Sequence, residues 1–193
     1  MNDSEIIRSD YVVFALGGSS WKSTGSDGKW LKTFQDKGLK TLPFKASNCA
    51  FQVKWKSNFL DTNEGLPLKN IALLIKNKTQ KGEVVITHFG IEGNAIYALS
   101  PEIQNELDSI GISKVSIDFK PTLSKDLVLK KLNTSKQNIS KTLKDILKLS
   151  KPGIDLIKQS LSKDEFLDLP NLCLLYTSPE PTRRYAISYA VFC

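Results

Sequence analysis

The sequence predicts a mixed fold, part α/β and part α+β, in which a strand–glycine loop–helix segment precedes a small antiparallel β-barrel and a helical subdomain. Three observations support this prediction. A continuously apolar, β-rich run ends in a glycine turn before a helix-like segment. Short β-rich runs separated by turn residues follow it. The rest of the chain shows helical periodicity with capping residues.

The first predicted element is a strand at residues 11–16, with the sequence YVVFAL. Such a continuous apolar run is typical of a strand that is buried on both faces. It ends in two glycines and two serines at 17–20, where the backbone can adopt positive φ and approach another molecule closely. A helix is predicted over KWLKTFQDK, with Ser26 or Asp27 as its N-cap and Gly38 as its C′ residue. Strand, glycine loop and helix in this order indicate a fragment of an α/β nucleotide-binding architecture.

The middle of the chain, from about residue 42 to 89, predicts several short strands. The runs CAFQVKW, NIALLIK and EVVITHF are β-rich and partly alternating. Turns are predicted at 63–65 and 77–82, and GLPLKN at 65–70 is predicted to be a loop that enters a strand. Strands at this spacing indicate a small antiparallel barrel or sandwich.

The remaining residues predict helices and one more strand. Ser100 and Pro101 mark a helix start, and Gly111 marks its end. The strand KVSIDFK occupies 114–120, and amphipathic stretches lie at 124–133, 140–149 and 153–160. A last short helix is predicted to begin at Ser162, with Glu165 completing a capping box.

Composition restricts the classes of function. The net charge of +7 comes almost wholly from lysines interleaved with acidic residues, and Arg8 is the only arginine before residue 180. Because phosphate recognition usually recruits arginine, nucleic acid is not expected as a partner. No apolar run approaches the ~20 residues that cross a bilayer, and the first residues, MNDSEIIRSD, show no signal pattern. We therefore expect a cytoplasmic protein without a membrane partner.

Metal and nucleophile chemistry are not expected either. His88 is the only histidine, and the three cysteines are widely scattered. A catalytic triad or a multi-histidine metal site would have to be built around this single imidazole.

The segment from about residue 173 to 193 differs from the rest of the chain. Lysine is frequent up to Lys163 and absent from the last 30 residues, whereas two of the three cysteines and three of the five tyrosines lie beyond residue 172. The string CLLYTSPEPTRRYAISYAVFC resembles translated adapter or vector sequence. We expect a non-native tail, with a natural proline-rich tail as the alternative.

A family resemblance covers residues 11–170. The string ALGGSSWKSTGSDG at 15–28 resembles the second glycine-rich motif of the BaiN-type flavoproteins, also known as aminoacetone-oxidase-family FAD-binding enzymes. The resemblance continues in the same order through LPFKASNCAF, EGLPLKNIAL, GEVVITHFGIEGNAIYALS and IDFKP. Several motifs in register are more specific than one glycine pair.

The resemblance implies an FAD domain interrupted by an inserted β-barrel and a helical subdomain. Residues 1–41 would be part of the FAD domain, 42–99 plus 112–121 the inserted barrel, and 100–111 plus 122–172 the helical subdomain. The cofactor-binding residues implied are Ala15, Leu16, Gly17, Gly18, Ser20, Trp21, Thr24 and Gly25. Glycine lets backbone N–H groups reach flavin and phosphate oxygens, and Trp21 either packs on a ring face or is an ordinary core residue.

The chain departs from the family pattern in two respects. Lys22 stands where many relatives have proline. The family's first fingerprint, GxGxxG, is absent, and so is the second half of the FAD domain expected after about residue 170. We therefore expect the chain to lack parts of its own FAD domain, to hold FAD only weakly and to be inactive by itself.

The same resemblance suggests a substrate cleft. THFGIEGNAIYALS at 87–100 would place His88, Glu92 and Asn94 where the inserted domain faces the flavin. The alternative is that Gly90 and Gly93 simply make the turn from barrel to helix.

Two functions follow from different classes. The first is an FAD-dependent oxidoreductase acting on a small molecule, with NAD(P)H as a possible second cofactor and no assignable catalytic residue. The alternative is a non-catalytic basic barrel that binds RNA or a protein, for which the aromatic and basic residues of FQVKWKSNF give some support.

Overall fold

The computed structural model describes residues 6, 8–135, 138–167 and 187–188. The chain divides into two compact units, Met1–Ala46 and Ser47–Cys193, called unit 1 and unit 2 below. Apart from residues 187–188, the predicted non-native tail lies outside the described residues. In the described part of the chain, no helix has the length and apolar character needed to cross a membrane.

Unit 1 contains a short 3-10 turn at Lys22–Thr24 and helix α1 at Trp30–Asp36. The predicted helix is confirmed, and Gly38 adopts a φ of 78° just beyond its end. The predicted N-cap is wrong, because Lys29 occupies that position without a side-chain cap. Asp27 instead accepts a hydrogen bond from the backbone N–H of Lys29 at 3.1 Å, closing a turn before the helix begins.

The predicted strand at residues 11–16 is wrong for the described structure. These residues pair with no described strand, and Tyr11 and Val13 are 91 % and 88 % exposed. A strand buried on both faces needs a neighbour along each edge and a layer over each face. The part of the chain that the structure describes supplies no strand that pairs with this run, although the ring of Phe14 packs edge-on to that of Phe34 in α1 at 5.1 Å.

Unit 2 is built on an antiparallel sheet, curled into a half-barrel of five strands. The sixth strand is a two-residue pairing at one edge, so the order is β1-β4-β3-β2-β5-β6. The predicted antiparallel strands are therefore present, but the described sheet is open rather than closed into a barrel. The strands are β1 (Phe51–Gln52), β2 (Pro67–Ile75), β3 (Lys78–Ile86), β4 (Gly90–Glu92), β5 (Lys114–Asp118) and β6 (Ile187–Ser188).

The β2–β3 hairpin corrects two predictions. The turn between its strands is the dipeptide at 76–77, with Lys76 at a φ of 48°, so residues 78–82 are strand and not the predicted turn. They are mostly exposed, which explains their loop-like composition. The predicted loop at 65–70 also ends within β2, where the register shifts between Leu68 and Ile71 and Asn70 has a φ of 55°. A bulge of this kind lets a strand continue through a local kink.

Seven helices surround the sheet in the described part of unit 2. The predicted helices at 100–111, 124–133, 140–149 and 153–160 are confirmed to within a few residues, with Ser124 and Asn138 capping two of them through their side chains. A final helix follows Ser162 as predicted, but the side chain of Glu165 lies outside the described residues. The helices are α2 (Ser57–Asn63), α3 (Asn94–Tyr97), α4 (Ser100–Ile110), α5 (Lys125–Asn133), α6 (Ile139–Asp145), α7 (Lys151–Ser160) and α8 (Lys163–Leu167).

One apolar core joins the half-barrel to these helices. Buried side chains of the sheet, such as Phe51 and Leu73, share the core with Ile103 of α4 and Leu143 of α6, none of which is exposed to solvent. Burial of such side chains is the main favourable term in folding. The core therefore fixes the strand ends of unit 2, at or next to which His88, Glu92 and Asn94 lie.

Candidate functional site

The glycine loop of unit 1, residues 15–28, is folded by its own side chains. The indole N–H of Trp30 donates to the carbonyl of Gly17 at 3.1 Å, and the hydroxyl of Ser26 donates to the carbonyl of Gly18 at 2.6 Å. Gly17 has a φ of 75°, and an added Cβ would lie 2.8 Å from the Cβ of Ser26. Glycine is therefore required at this position by both the backbone conformation and the close approach of the opposite side of the loop.

The carbonyls of Gly17 and Gly18 thus accept hydrogen bonds from the side chains of Trp30 and Ser26, whereas the backbone N–H groups nearby have no partner among the described residues. Among the described residues, no group accepts a hydrogen bond from the backbone N–H groups of residues 17–20. A Cβ added at Gly18 or at Gly25 would meet no atom within 4 Å. The loop therefore offers free amide donors beside empty space, which suits the acceptor oxygens of a flat, phosphate-linked ligand.

Of the remaining predicted cofactor residues, Leu16 and Gly25 line a pocket of the loop, whereas Ala15, Ser20, Trp21 and Thr24 are not among its lining residues. Trp21 is 71 % exposed, so it is not a core residue, and Thr24 holds the 3-10 turn by donating to the Trp21 carbonyl at 2.7 Å. Hydrogen bonds from Lys29 keep the pKa of Asp27 below its ordinary value, its backbone N–H having the larger effect. A pocket of about 440 Å³ is lined by Leu16, Lys22, Gly25, Ser26, Asp27 and Trp30.

In unit 2, a tight turn at residues 87–90 follows β3 and carries His88 and Phe89. The backbone groups of Thr87 and Gly90 hydrogen-bond to each other in both directions, at 2.8 and 3.1 Å. The indole N–H of Trp55 donates to the carbonyls of both residues, at 3.1 and 3.3 Å. This turn, called the 87–90 turn below, is therefore closed by its own backbone hydrogen bonds and stabilised by two hydrogen bonds from the Trp55 indole.

His88 lies at the tip of this turn. Its imidazole Nδ1 is 3.5 Å from the Oε1 atom of Glu64, which follows the end of α2. Its ring also meets the ring of Phe89 edge-on at 4.5 Å. His88 and Phe89 are both exposed, so the pair is available to a molecule that approaches this end of the half-barrel.

Asn94 and Glu92 have different surroundings. The Oδ1 atom of Asn94 accepts a hydrogen bond from the backbone N–H of Glu83 at 3.0 Å, which ties the start of α3 to β3. Glu92 lies in β4 opposite Val85. Gly93 has a φ of 129° and leaves no room for a Cβ, which would lie 2.7 Å from the carbonyl oxygen of Glu83. The glycine thus makes the barrel-to-helix turn, as the structural alternative predicted.

A groove of about 320 Å³ on the sheet is lined by Asn94 but not by His88 or Glu92. Its walls come from the bulge of β2, the middle of β3, the start of α3 and the loop after β5. The lining residues are Asn70, Ile71, Lys81, Gly82, Glu83, Asn94, Pro121 and Thr122. The three predicted cleft residues are therefore not gathered around this one cavity.

Asp118 of β5 is a partly buried carboxyl group with a shifted pKa. Burial raises its pKa, although its Oδ1 atom accepts a hydrogen bond from the backbone N–H of Lys120 at 2.8 Å. When the folded state raises the pKa of a carboxyl group, the protein loses stability as the pH rises from the unfolded pKa of that group through its folded pKa. We expect Asp118→Asn, which keeps the acceptor oxygen, to raise the stability of unit 2 at neutral pH. Urea unfolding should show this gain shrinking toward pH 3, and a gain that grows on acidification would contradict the assignment.

Sequence reasoning identified His88 but not Glu64 or Trp55. Glu64 was part of a predicted turn, and Trp55 was one of the aromatic residues of the RNA-binding alternative. Phe51 and Phe59 of that segment are buried in the core, so neither ring is available to stack on a base. In the described part of the chain, no cluster of three or more histidine, cysteine or acidic side chains could hold a metal ion.

The fold and these loops define a class of protein: a curled antiparallel half-barrel joined to a helical region, accompanied by an exposed glycine loop. The model of one family, the HI0933-like protein barrel and H2TH domain, matches residues 45–164, which is more than half of the chain. The chain therefore belongs to the HI0933-like family, and the resemblance to BaiN-type flavoproteins is confirmed. The match covers most of the described part of unit 2, whereas the glycine loop lies before it.

A curated relative agrees with this family. The chain is 29 % identical over 135 residues to the 3-dehydro-bile acid delta(4,6)-reductase of Clostridium scindens. The aligned segment is 68 % of this chain but 33 % of the relative, so the chain spans about a third of the length of the relative.

Proposed function

We propose that the chain is a segment of an FAD-dependent oxidoreductase, to which unit 1 contributes a cofactor-contacting loop and unit 2 the substrate-side domain. Family membership and the name of the relative, a reductase, support an oxidoreductase. FAD would supply hydride transfer, and the protein would orient the reactants. The substrate would be a small molecule, with NAD(P)H as the electron donor.

One observation carries the cofactor part of this proposal. The carbonyls of Gly17 and Gly18 are turned onto the side chains of Trp30 and Ser26, so the amides of residues 17–20 remain open to a ligand. A dinucleotide presents phosphate and ring oxygens that need such donors. The eight predicted cofactor residues, including Ala15 and Ser20, lie in or beside this loop.

The cofactor proposal is tested by titrating the chain with FAD. We expect weak, saturable quenching of tryptophan fluorescence, because Trp21 and Trp30 lie in and beside the loop. Gly18→Glu should weaken the apparent affinity at least about tenfold, or ~1.4 kcal/mol, since a carboxylate would face the phosphates and cover the amides. The loop itself should tolerate the change, because a Cβ at Gly18 meets nothing within 4 Å.

Gly38→Asn is the matched control. Gly38 follows α1 with a φ of 78° and open space around it, and asparagine tolerates that conformation. This variant should bind FAD as the unmodified chain does. Fluorescence that is unaffected by saturating FAD, or equal affinity in the chain and in Gly18→Glu, would refute the role of the loop.

A further inference from the structure

We propose that Glu64 and His88 form a proton-transfer pair, in which the carboxylate orients the imidazole so that its Nε2 atom serves the substrate. The inference rests on the proposed function for its chemical role, but the pairing itself is a property of this chain. It adds Glu64 and Trp55 to the candidate site of unit 2.

The first support is the fixed position of His88. The backbone hydrogen bonds of the 87–90 turn and the two hydrogen bonds from the Trp55 indole prevent the turn from opening. The backbone N–H of Val53 also donates to the carbonyl of Phe89 at 2.9 Å. A side chain on a loop that is tied in this way loses little further freedom when a substrate binds.

The second support is the orientation of the ring. Nδ1 faces the carboxylate of Glu64 at 3.5 Å, a distance that a small rotation shortens to a hydrogen bond. The ring of Phe89 packs edge-on against the imidazole, with 4.5 Å between the ring centroids. No described group hydrogen-bonds to Nε2, and the side chain is 68 % exposed. A proton on Nδ1 therefore points at Glu64, which leaves Nε2 for an incoming molecule.

Glu64 is itself held in place. The residue follows the last turn of α2, and its backbone N–H donates to the carbonyl of Leu60 at 3.0 Å. The next residue, Gly65, donates to the carbonyl of Ile86 at the end of β3. This hydrogen bond joins the end of α2 to the end of β3, so the Glu64 carboxylate lies close to the His88 imidazole.

This arrangement fits reduction of a polarised double bond, either C=O or a C=C bond conjugated to a carbonyl. A bound reduced cofactor would supply the hydride that one atom of the bond gains, and the other atom would gain a proton. The Nε2–H of the imidazolium gives up that proton and becomes neutral imidazole, which regains a proton from water. The carboxylate of Glu64 would compensate the positive charge of the imidazolium.

The pair is tested on the chain without cofactor. His88 is the only histidine, so ring ¹⁵N shifts report on this residue alone. The rate of diethyl pyrocarbonate modification does so too when it is followed by the ultraviolet absorbance of the carbethoxylated imidazole. At mildly alkaline pH we expect the tautomer with a proton on Nδ1 to predominate. Glu64→Gln should shift the population toward the Nε2–H tautomer and slow modification about two- to fivefold, which is the range for an exposed pair. Glu64→Asp should restore part of the rate.

Two further variants separate orientation from folding. Trp55→Phe keeps a ring but removes the N–H donor, so the amides of Val53 and Gly90 should exchange faster and the tautomer preference should weaken. Asp61→Asn removes an exposed carboxylate of α2, for which no contact with His88 is found in the described part of the chain, and should leave the tautomer ratio and the modification rate unchanged. A tautomer ratio and modification rate that are unaffected by Glu64→Gln would overturn the pair, whatever the FAD titration shows. A failed FAD titration with an intact pair would instead refute the flavoenzyme role alone.

Discussion

Replacing Gly90 with alanine is expected to destabilise unit 2 by about 3 kcal/mol or more, a large loss for a single added methyl group. An added Cβ would lie 1.9 Å from the carbonyl oxygen of Phe51 and 2.8 Å from the Cα atom of Gln52. Both contacts are with backbone, so no side-chain rotation relieves them. Strands β1 and β4 would have to separate, and the 87–90 turn would lose its anchor.

Urea unfolding followed by far-UV circular dichroism measures this loss, and Gly111→Ala is the matched control. Gly111 has a φ of 74° after α4, but a Cβ there meets nothing within 4 Å. The same methyl group should therefore cost only about 1 kcal/mol, the usual penalty for alanine in a left-handed conformation. Equal destabilisation in the two variants would show that the clash at Gly90 is relieved by a movement of the strands.

Asn63→Asp is expected to destabilise unit 2 by about 3 kcal/mol at neutral pH. Asn63 is fully buried, and its amide donates to the carbonyl of Phe59 at 2.9 Å and to the carboxylate of Asp155 at 3.3 Å. Both partners are acceptors, which fixes the orientation of the amide. A carboxylate at this position would face two acceptors in a buried site, so it would lose hydrogen bonds and gain repulsion.

The destabilisation should depend on pH with a definite sign. The folded state would favour the protonated form of the new carboxyl group, so its folded pKa would exceed its unfolded value of about 3.9. The loss relative to the unmodified chain at the same pH should therefore shrink as the pH falls toward 4. Asn58→Asp, at an exposed position in the first turn of α2, should cost almost nothing. A loss in Asn63→Asp that is independent of pH would argue against a buried charge.

The elements that local chemistry encodes were predictable. Ser124 caps α5, Gly111 ends α4 in a left-handed conformation, and Gly38 does the same after α1. Each of these signals acts within one turn of helix, so the sequence around it contains all the necessary information.

Elements whose state depends on distant neighbours were not predictable. The apolar run at 11–16 satisfies the local criteria for a buried strand, yet it is exposed and unpaired in the described structure. Residues 78–82 have the composition of a turn but form the exposed half of β3, because β2 supplies their hydrogen bonds. Pairing partners, and not local propensity, decide both cases.

Part of the candidate site could likewise be predicted from the sequence, and part could not. His88 was identifiable because it lies in the segment THFGIEGNAIYALS, which carries the family resemblance, and because it is the only histidine. Glu64 and Trp55 lie 24 and 33 residues before it in the chain. Glu64 approaches the His88 imidazole in the folded chain, and Trp55 donates to the flanking carbonyls of Thr87 and Gly90. No local pattern could have connected them with His88, since folding alone brings them together.

The fluorescence of the three tryptophans can report separately on different parts of the chain. Trp21 is exposed to solvent. The ring of Trp30 packs edge-on against those of Phe34 and Phe44, at 5.6 Å from each. Trp55 is half-buried, and its ring lies tilted against that of Phe59. Their indoles should therefore emit at different wavelengths and respond differently to a soluble quencher. Changes at the glycine loop and beneath the histidine would then be distinguishable by replacing one tryptophan at a time, without any attached dye.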